Sequence, residues 1–220
     1  YVKYSKNCVI SRVPEEMSLN DALLIEPYGC SKHAVDRASI TNEDVVVISG
    51  AGTLGLGMVT YARMKNPKKL IVLDMQTGRL EKAKDFGADL VFNPGETDVD
   101  KEVKALTGGY GCDIYIEATG NPASVVQGLK MIRKLGRFVE FSVFGSETTV
   151  DWSIIGDRKE LDILGAHLSP YAYPFVIENI MNGKLKTEGV VSSMFPIEEW
   201  KKGFEYATGK YGDFKVALTF

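Results

Sequence analysis

Residues Val45 to Asp74, VVVISGAGTLGLGMVTYARMKNPKKLIVLD, leave few folds open to the chain. A run of β-branched residues ends at Ser49 and passes straight into Gly50, Gly52 and Gly55. A segment of helical period follows, then a second apolar run that stops at Asp74. Strand, glycine turn, helix and strand in that order make a parallel βαβ unit. Gly50 permits the tight turn, and Gly52 lets backbone N–H groups approach a diphosphate. Gly55 lets the helix pack closely on the sheet, and the helix start at Thr53 and Leu54 turns its partial positive charge toward the anion. Asp74 ends the second strand, where a carboxylate can accept hydrogen bonds from ribose hydroxyls and would repel a 2′-phosphate. The context reads as a dinucleotide site with NAD favoured over NADP. The alternative is a doubly wound fold holding some other adenosine-containing ligand.

With 45% hydrophobic and 25% charged residues in 220, the chain matches an ordinary globular protein, of one large domain or one domain plus part of another. A net charge of −3 without a basic cluster gives no reason to expect nucleic acid. The longest uncharged apolar stretch, Val45 to Tyr61, is broken by glycines and is not a membrane span. Cys8, Cys30 and Cys112 are odd in number and far apart, which fits reduced thiols in a cytoplasmic protein and excludes a structural zinc site built from them. No signal peptide is expected, and the absence of an initiator Met implies that Tyr1 is not the natural start.

From Val45 onward, apolar runs alternate with helical patterns, the mark of a doubly wound parallel α/β (Rossmann) sheet. Strands are expected near Val45–Ser49, Leu70–Asp74, Leu90–Phe92, Cys112–Glu117, Arg137–Ser142 and Leu161–His167, in the order 3-2-1-4-5-6. Helices are expected near Leu54–Lys65, Gln76–Phe86, Asp98–Thr107 and Ala123–Lys134. Gly87 suits a left-handed helix cap, and Asn121-Pro122 suits a helix start. The ends break the alternation: an extended stretch, a turn and a short helix come first, and helices near Ala172–Asn182 and Ile197–Ala207 precede a final strand, Phe214–Thr219. The expected division is 1–24 as the edge of a second, mostly absent catalytic domain, 25–168 as the NAD-binding Rossmann domain, and 169–220 as its C-terminal end with a closing strand.

With the glycine turn and Asp74, four further segments carry a family resemblance. They are Leu24-Ile25-Glu26-Pro27 with His33-Ala34, Leu80–Ala83 with Phe86–Asp89, Glu117–Gly120, and Lys215–Leu218. The chain resembles the medium-chain zinc-dependent dehydrogenases, in their sorbitol and threonine dehydrogenase branch, over essentially its whole length but only over the later part of a usual member. The resemblance implies that zinc, bound mainly by an N-terminal region absent here, acts as a Lewis acid on an alcohol while NAD accepts hydride. It also implies a homo-oligomer, a dimer or tetramer. Thr53 stands where relatives often carry Pro.

The resemblance places Glu26 at the catalytic zinc, as ligand or water partner; otherwise Glu26 is a loop acid at a domain junction. Cys30 would face the nicotinamide but reads as packing, and His33 as a hinge residue. Arg79 either lies over the adenine or ribose or pairs with a neighbouring acid. Thr119 and Gly120 end the fourth strand, on the carboxyl edge where ligands of open α/β sheets sit, and Ser142, Val143 and Phe144 end the fifth, where their backbone would meet the nicotinamide amide. His167 is either a polar group near the substrate or a wall residue. Tyr61 and Lys65 form a YxxxK pair, the signature of short-chain dehydrogenases, but inside the wrong helix; they read as packing and surface.

The expected activity is the cofactor half of an oxidoreductase acting on a secondary alcohol of a polyol or related small alcohol, the chain alone being inactive or nearly so. A non-catalytic NAD-sensing module and a methyltransferase are the competing classes.

Overall fold

The β-branched run forms strand β1 (Val45–Ser49), in which every residue is buried. A strand with neighbours on both edges and layers on both faces needs such side chains, because no position meets water. Strands β2 (Lys69–Leu73), β3 (Leu90–Phe92), β4 (Cys112–Glu117), β5 (Ile132–Glu140) and β6 (Asp162–Gly165) complete a parallel sheet. Their spatial order is β3-β2-β1-β4-β5-β6, as the alternation predicts. The computed structural model describes residues 3–220, so Tyr1 and Val2 of the expected 1–24 segment lie outside the described residues.

The pleat divides the core in two. Val46, Ile48, Ile114, Ile116 and Val139 face one layer, made of α2 (Ile25–Ala38), α3 (Thr53–Met64) and α7 (Tyr173–Met181). Val47, Ile71, Tyr115 and Phe138 face the other, made of α5 (Val99–Leu106) and α6 (Pro122–Met131). The turn residues behave as their chemistry requires. Asn121 caps α6 by accepting from Ala123 N–H, with Pro122 following, and Gly87 closes α4 (Thr77–Phe86) at φ 116°.

The sequence pattern missed the length of α2, which follows a one-turn helix α1 (Leu19–Ala22). Its Gly29, Cys30 and Ser31 blur the helical period, yet tertiary packing secures it. Ser31 Oγ donates to Leu54 O at 2.8 Å, and a Cβ added at Gly57 of α3 would lie 2.5 Å from that hydroxyl. The boundary between α6 and β5 also differs from expectation. The helix stops at Met131 and strand pairing begins at once, Ile132 opposite Cys112. Lys159 Nζ ends the helix from afar by donating to the carbonyls of Leu129, Lys130 and Ile132.

A second, two-stranded parallel sheet follows. Strand β7 (Val191–Pro196), α8 (Trp200–Ala207, led in by a turn of 3-10 helix) and β8 (Lys215–Thr219) form it. β7 was not expected, because VSSMFP lacks alternation, and its outer positions remain exposed.

Candidate cofactor site

At the carboxyl ends of β1 and β4, strand order reverses and a crevice opens, the place where open α/β sheets take ligands. Gly50 sits there at φ 107°, and a Cβ on it would lie 2.6 Å from Ala118 O. A Cβ on Gly55 would lie 1.9 Å from Gly50 O, so neither position has room for a side chain. Gly52 is the N-cap of α3 and carries no side chain to satisfy the first-turn N–H groups. These donors therefore present an anion-binding helix end of twelve residues.

Asp74 lies one residue past β2, its side chain nearly buried. Its Oδ2 accepts from Ala51 N–H at 2.8 Å and its Oδ1 from Gln76 N–H at 2.9 Å. Each carboxylate oxygen can accept a second bond, so capacity remains for a sugar diol. The Arg79 guanidinium stands 3.9 Å from Asp74 Oδ2, the pairing with a neighbouring acid that was weighed for it, and on the wall of the same crevice. The crevice measures about 570 Å³; Gly50, Gly52, Asp74, Arg79 and Thr119 line it together.

A second cleft of about 380 Å³ begins where Ala118 and Thr119 separate it from the first. It gathers Glu26, Cys30, Leu54, Gly120, Ser142, Val143 and His167, residues far apart in the chain. Thr119, Ser142 and His167 each lie just past their strands rather than at the strand ends. Phe144 lines neither cleft, and His33 stays on α2 away from both. Cys30 Sγ donates to Glu26 Oε1 at 3.2 Å; burial first, then that carboxylate, pushes the thiol up to about 12, so it remains a protonated packing group. Tyr61 is buried against Tyr28 and Phe175, and Lys65 pairs with Asp36 on the surface, which disposes of the YxxxK pair.

Two buried acids behind the clefts escaped the sequence. Glu117 is fully buried and accepts from Thr119 N–H at 2.9 Å, from the Thr119 hydroxyl and from Gly120 N–H at 3.2 Å, fixing the turn between the clefts. Asp213, also buried, accepts from the Ser192 and Ser193 hydroxyls at 2.9 and 2.5 Å. An acid inside the Glu117–Gly120 segment was a visible signal; nothing local marks Asp213.

The donors and cramped backbone of the first crevice fit a dinucleotide. Zinc does not fit this chain alone, for among the described residues no three His, Cys, Asp or Glu side chains converge.

Residues 53–182, more than half of the chain, match the family described as zinc-binding dehydrogenases. The chain belongs to that family, as the resemblance implied. It is 47% identical over 218 residues to the erythritol/L-threitol dehydrogenase of Mycolicibacterium smegmatis, covering 99% of this chain and 60% of that one. It is 29% identical to human sorbitol dehydrogenase over 196 residues, 88% of this chain and 55% of that one. Among solved structures it is similar to an alcohol dehydrogenase of E. coli CFT073 complexed with NADH (TM-score 0.85, 27% identity, 96% of this chain and 62% of that one). The zinc dependent alcohol dehydrogenase 2 of Streptococcus pneumonia is similar too (TM-score 0.86, 25% identity, 96% and 61%). The chain thus spans about 60% of the length of the relatives it matches.

Proposed function

We propose that this chain is the cofactor-binding part of an NAD-dependent dehydrogenase that reversibly oxidises a secondary alcohol of a small polyol. One observation carries the reading: an uncapped helix N-terminus and a nearly buried aspartate with spare acceptor capacity share one crevice. The N–H groups of Gly52, Thr53, Leu54 and Gly55 would hold the diphosphate, and Asp74 the adenosine ribose, with Arg79 alongside. Thr119, Gly120, Ser142 and Val143, with the backbone of Phe144 adjoining, would bound the nicotinamide. NAD, when bound there, supplies the hydride acceptor. Glu26 is the residue of this chain best placed to meet zinc or the substrate, and the other metal ligands would come from elsewhere. The similarity to an erythritol/L-threitol dehydrogenase favours a polyol of few carbons.

The domain division 1–24, 25–168 and 169–220 belongs to this reading. So does a homo-oligomer, whose natural contact is the open side of edge strand β6, where Ile163 is exposed. Cys8, Cys30 and Cys112 are free, in keeping with a cytoplasmic setting. Among the described residues no helix is long and apolar enough to cross a membrane.

Calorimetric titration tests the proposal. NAD should bind, NADP should bind much more weakly, and S-adenosylmethionine should not bind. Asp74→Ala should weaken NAD by about ten- to a hundredfold, because hydrogen bonds to a charged acceptor are lost. Equal affinity of wild type and variant would overturn the assignment.

A further inference from the structure

The closing segment of the chain is tied to the dinucleotide crevice by two adjacent carbonyls. Phe214 O accepts from Thr53 Oγ1 at 2.8 Å, at the first residue of α3. Asp213 O accepts from Arg79 Nη2 at 3.4 Å, and the same guanidinium lies over the Phe214 ring at 5.9 Å. Both helices that open from the crevice are thereby fastened to one point of the loop before β8. That point is itself fixed from behind. The buried Asp213 carboxylate accepts from the Ser192 and Ser193 hydroxyls of β7, and Ser192 Oγ in turn accepts from Phe214 N–H at 3.1 Å. Gly209 and Gly212, at φ 76° and 84°, precede this anchored point in a turn closed by Gly212 N–H donating to Gly209 O at 3.1 Å. Without the carboxylate the two serine hydroxyls lose this acceptor, and only Phe214 N–H on Ser192 Oγ and Lys215 N–H on Val190 O remain among the backbone bonds that hold the two carbonyls under Thr53 and Arg79.

From this geometry we infer that Asp213 is a positioning residue for the coenzyme: through the loop backbone it holds Arg79 and the start of α3 in their binding arrangement. The inference rests on the NAD reading above and adds to it a clasp reaching from the second sheet. Arg79 needs such a clasp. Its Nε is buried without a partner, and Asp74 is too distant, at 3.9 Å, to hold the guanidinium by a hydrogen bond. The clasp works by preorganisation, since an arginine already seated loses less freedom when the ligand arrives.

The test is NAD titration of the 220-residue chain and its variants, with hydrogen exchange at residues 209–215 measured beside it. Asp213→Ala should weaken NAD about five- to tenfold and speed exchange of the loop. Asp213→Asn, whose amide oxygen still accepts both hydroxyls, should restore most of the affinity. The Ser192→Ala/Ser193→Ala pair should reproduce the alanine effect, and keeps the test open if Asp213→Ala does not fold. In an Arg79→Ala/Thr53→Val background, Asp213→Ala should add almost nothing, because the groups through which it acts are gone. Wild-type binding with unchanged affinity in Asp213→Ala or in the serine pair overturns the clasp alone. A full additional loss in the double background also overturns it, by showing a general structural role. Failure of the wild type to bind NAD would instead overturn the coenzyme reading, and the clasp with it.

Discussion

At the scale of single residues, buried acids divide the labour at the sheet's carboxyl edge. Asp74 and Glu117 both have their oxygens engaged by backbone N–H groups. Glu140 is different. It pairs in register with Glu117 on the neighbouring strand, and its Oε1 is buried without a partner. Burial, reinforced by the Glu117 charge, raises the Glu140 pKa above that of an ordinary glutamate. A carboxyl whose pKa is higher folded than unfolded binds its proton more tightly in the folded state. Stability is therefore greatest below the ordinary glutamate range and falls as the pH rises through that range toward the folded value. Glu140→Gln should match the wild type near pH 4 and exceed it at pH 8, with Tm higher by roughly 1–3 °C there. Thermal melts across that interval check it; a constant offset at all pH values would show that the charge is not the cause. The acid at position 74 was legible because it ends an apolar run after a glycine turn. Glu140 was not, since a lone acid inside a strand pattern gives no sign of what the neighbouring strand brings beside it.

At the scale of elements, the strands of the main sheet were legible because burial on both faces enforces apolar runs, and such runs are visible in a sequence. Their termini lie within two residues of expectation, but β5 begins at Ile132 rather than at the expected Arg137, just where Lys159 ends α6 from a distance. α2 shows the opposite case, a helix whose weak period is overridden by packing on α3. That contact permits a direct test. Gly57→Ala adds a Cβ that would lie 2.5 Å from Ser31 Oγ and 2.9 Å from the Tyr28 ring, both held by hydrogen bonds of their own. Overpacking of this kind costs about 1–3 kcal/mol, so Tm should fall by several degrees. A melting temperature equal to wild type would mean that the two helices separate freely, against the packing described.

At the scale of the whole molecule, the proposed function gives the chain one half of a reaction. Under the proposed function its first cleft would take the coenzyme and Glu26 would be the acid on the substrate side, while three convergent metal ligands are absent among the described residues. It should bind NAD yet show no turnover with erythritol, threitol or sorbitol; sustained NADH production by the isolated chain would contradict that. If β6 is the contact between copies, the wild type should sediment as a dimer or larger. Ile163→Lys, placing a charge on the open edge, should then yield monomer. A monomeric wild type removes the proposal.

The sequence by itself determined the βαβ unit, the order of six parallel strands, the crevice at positions 50 to 55 and the acid that faces it. These follow from local sterics and from burial, which leave periodic and positional traces. Only the tertiary structure decided that Glu26, Cys30, Ser142 and His167 share a cleft, that Glu117 holds the turn between the two clefts, and that Asp213 reaches Arg79 through the chain's last loop. Those relations join residues distant in the chain through side-chain hydrogen bonds, whose partners no local pattern specifies.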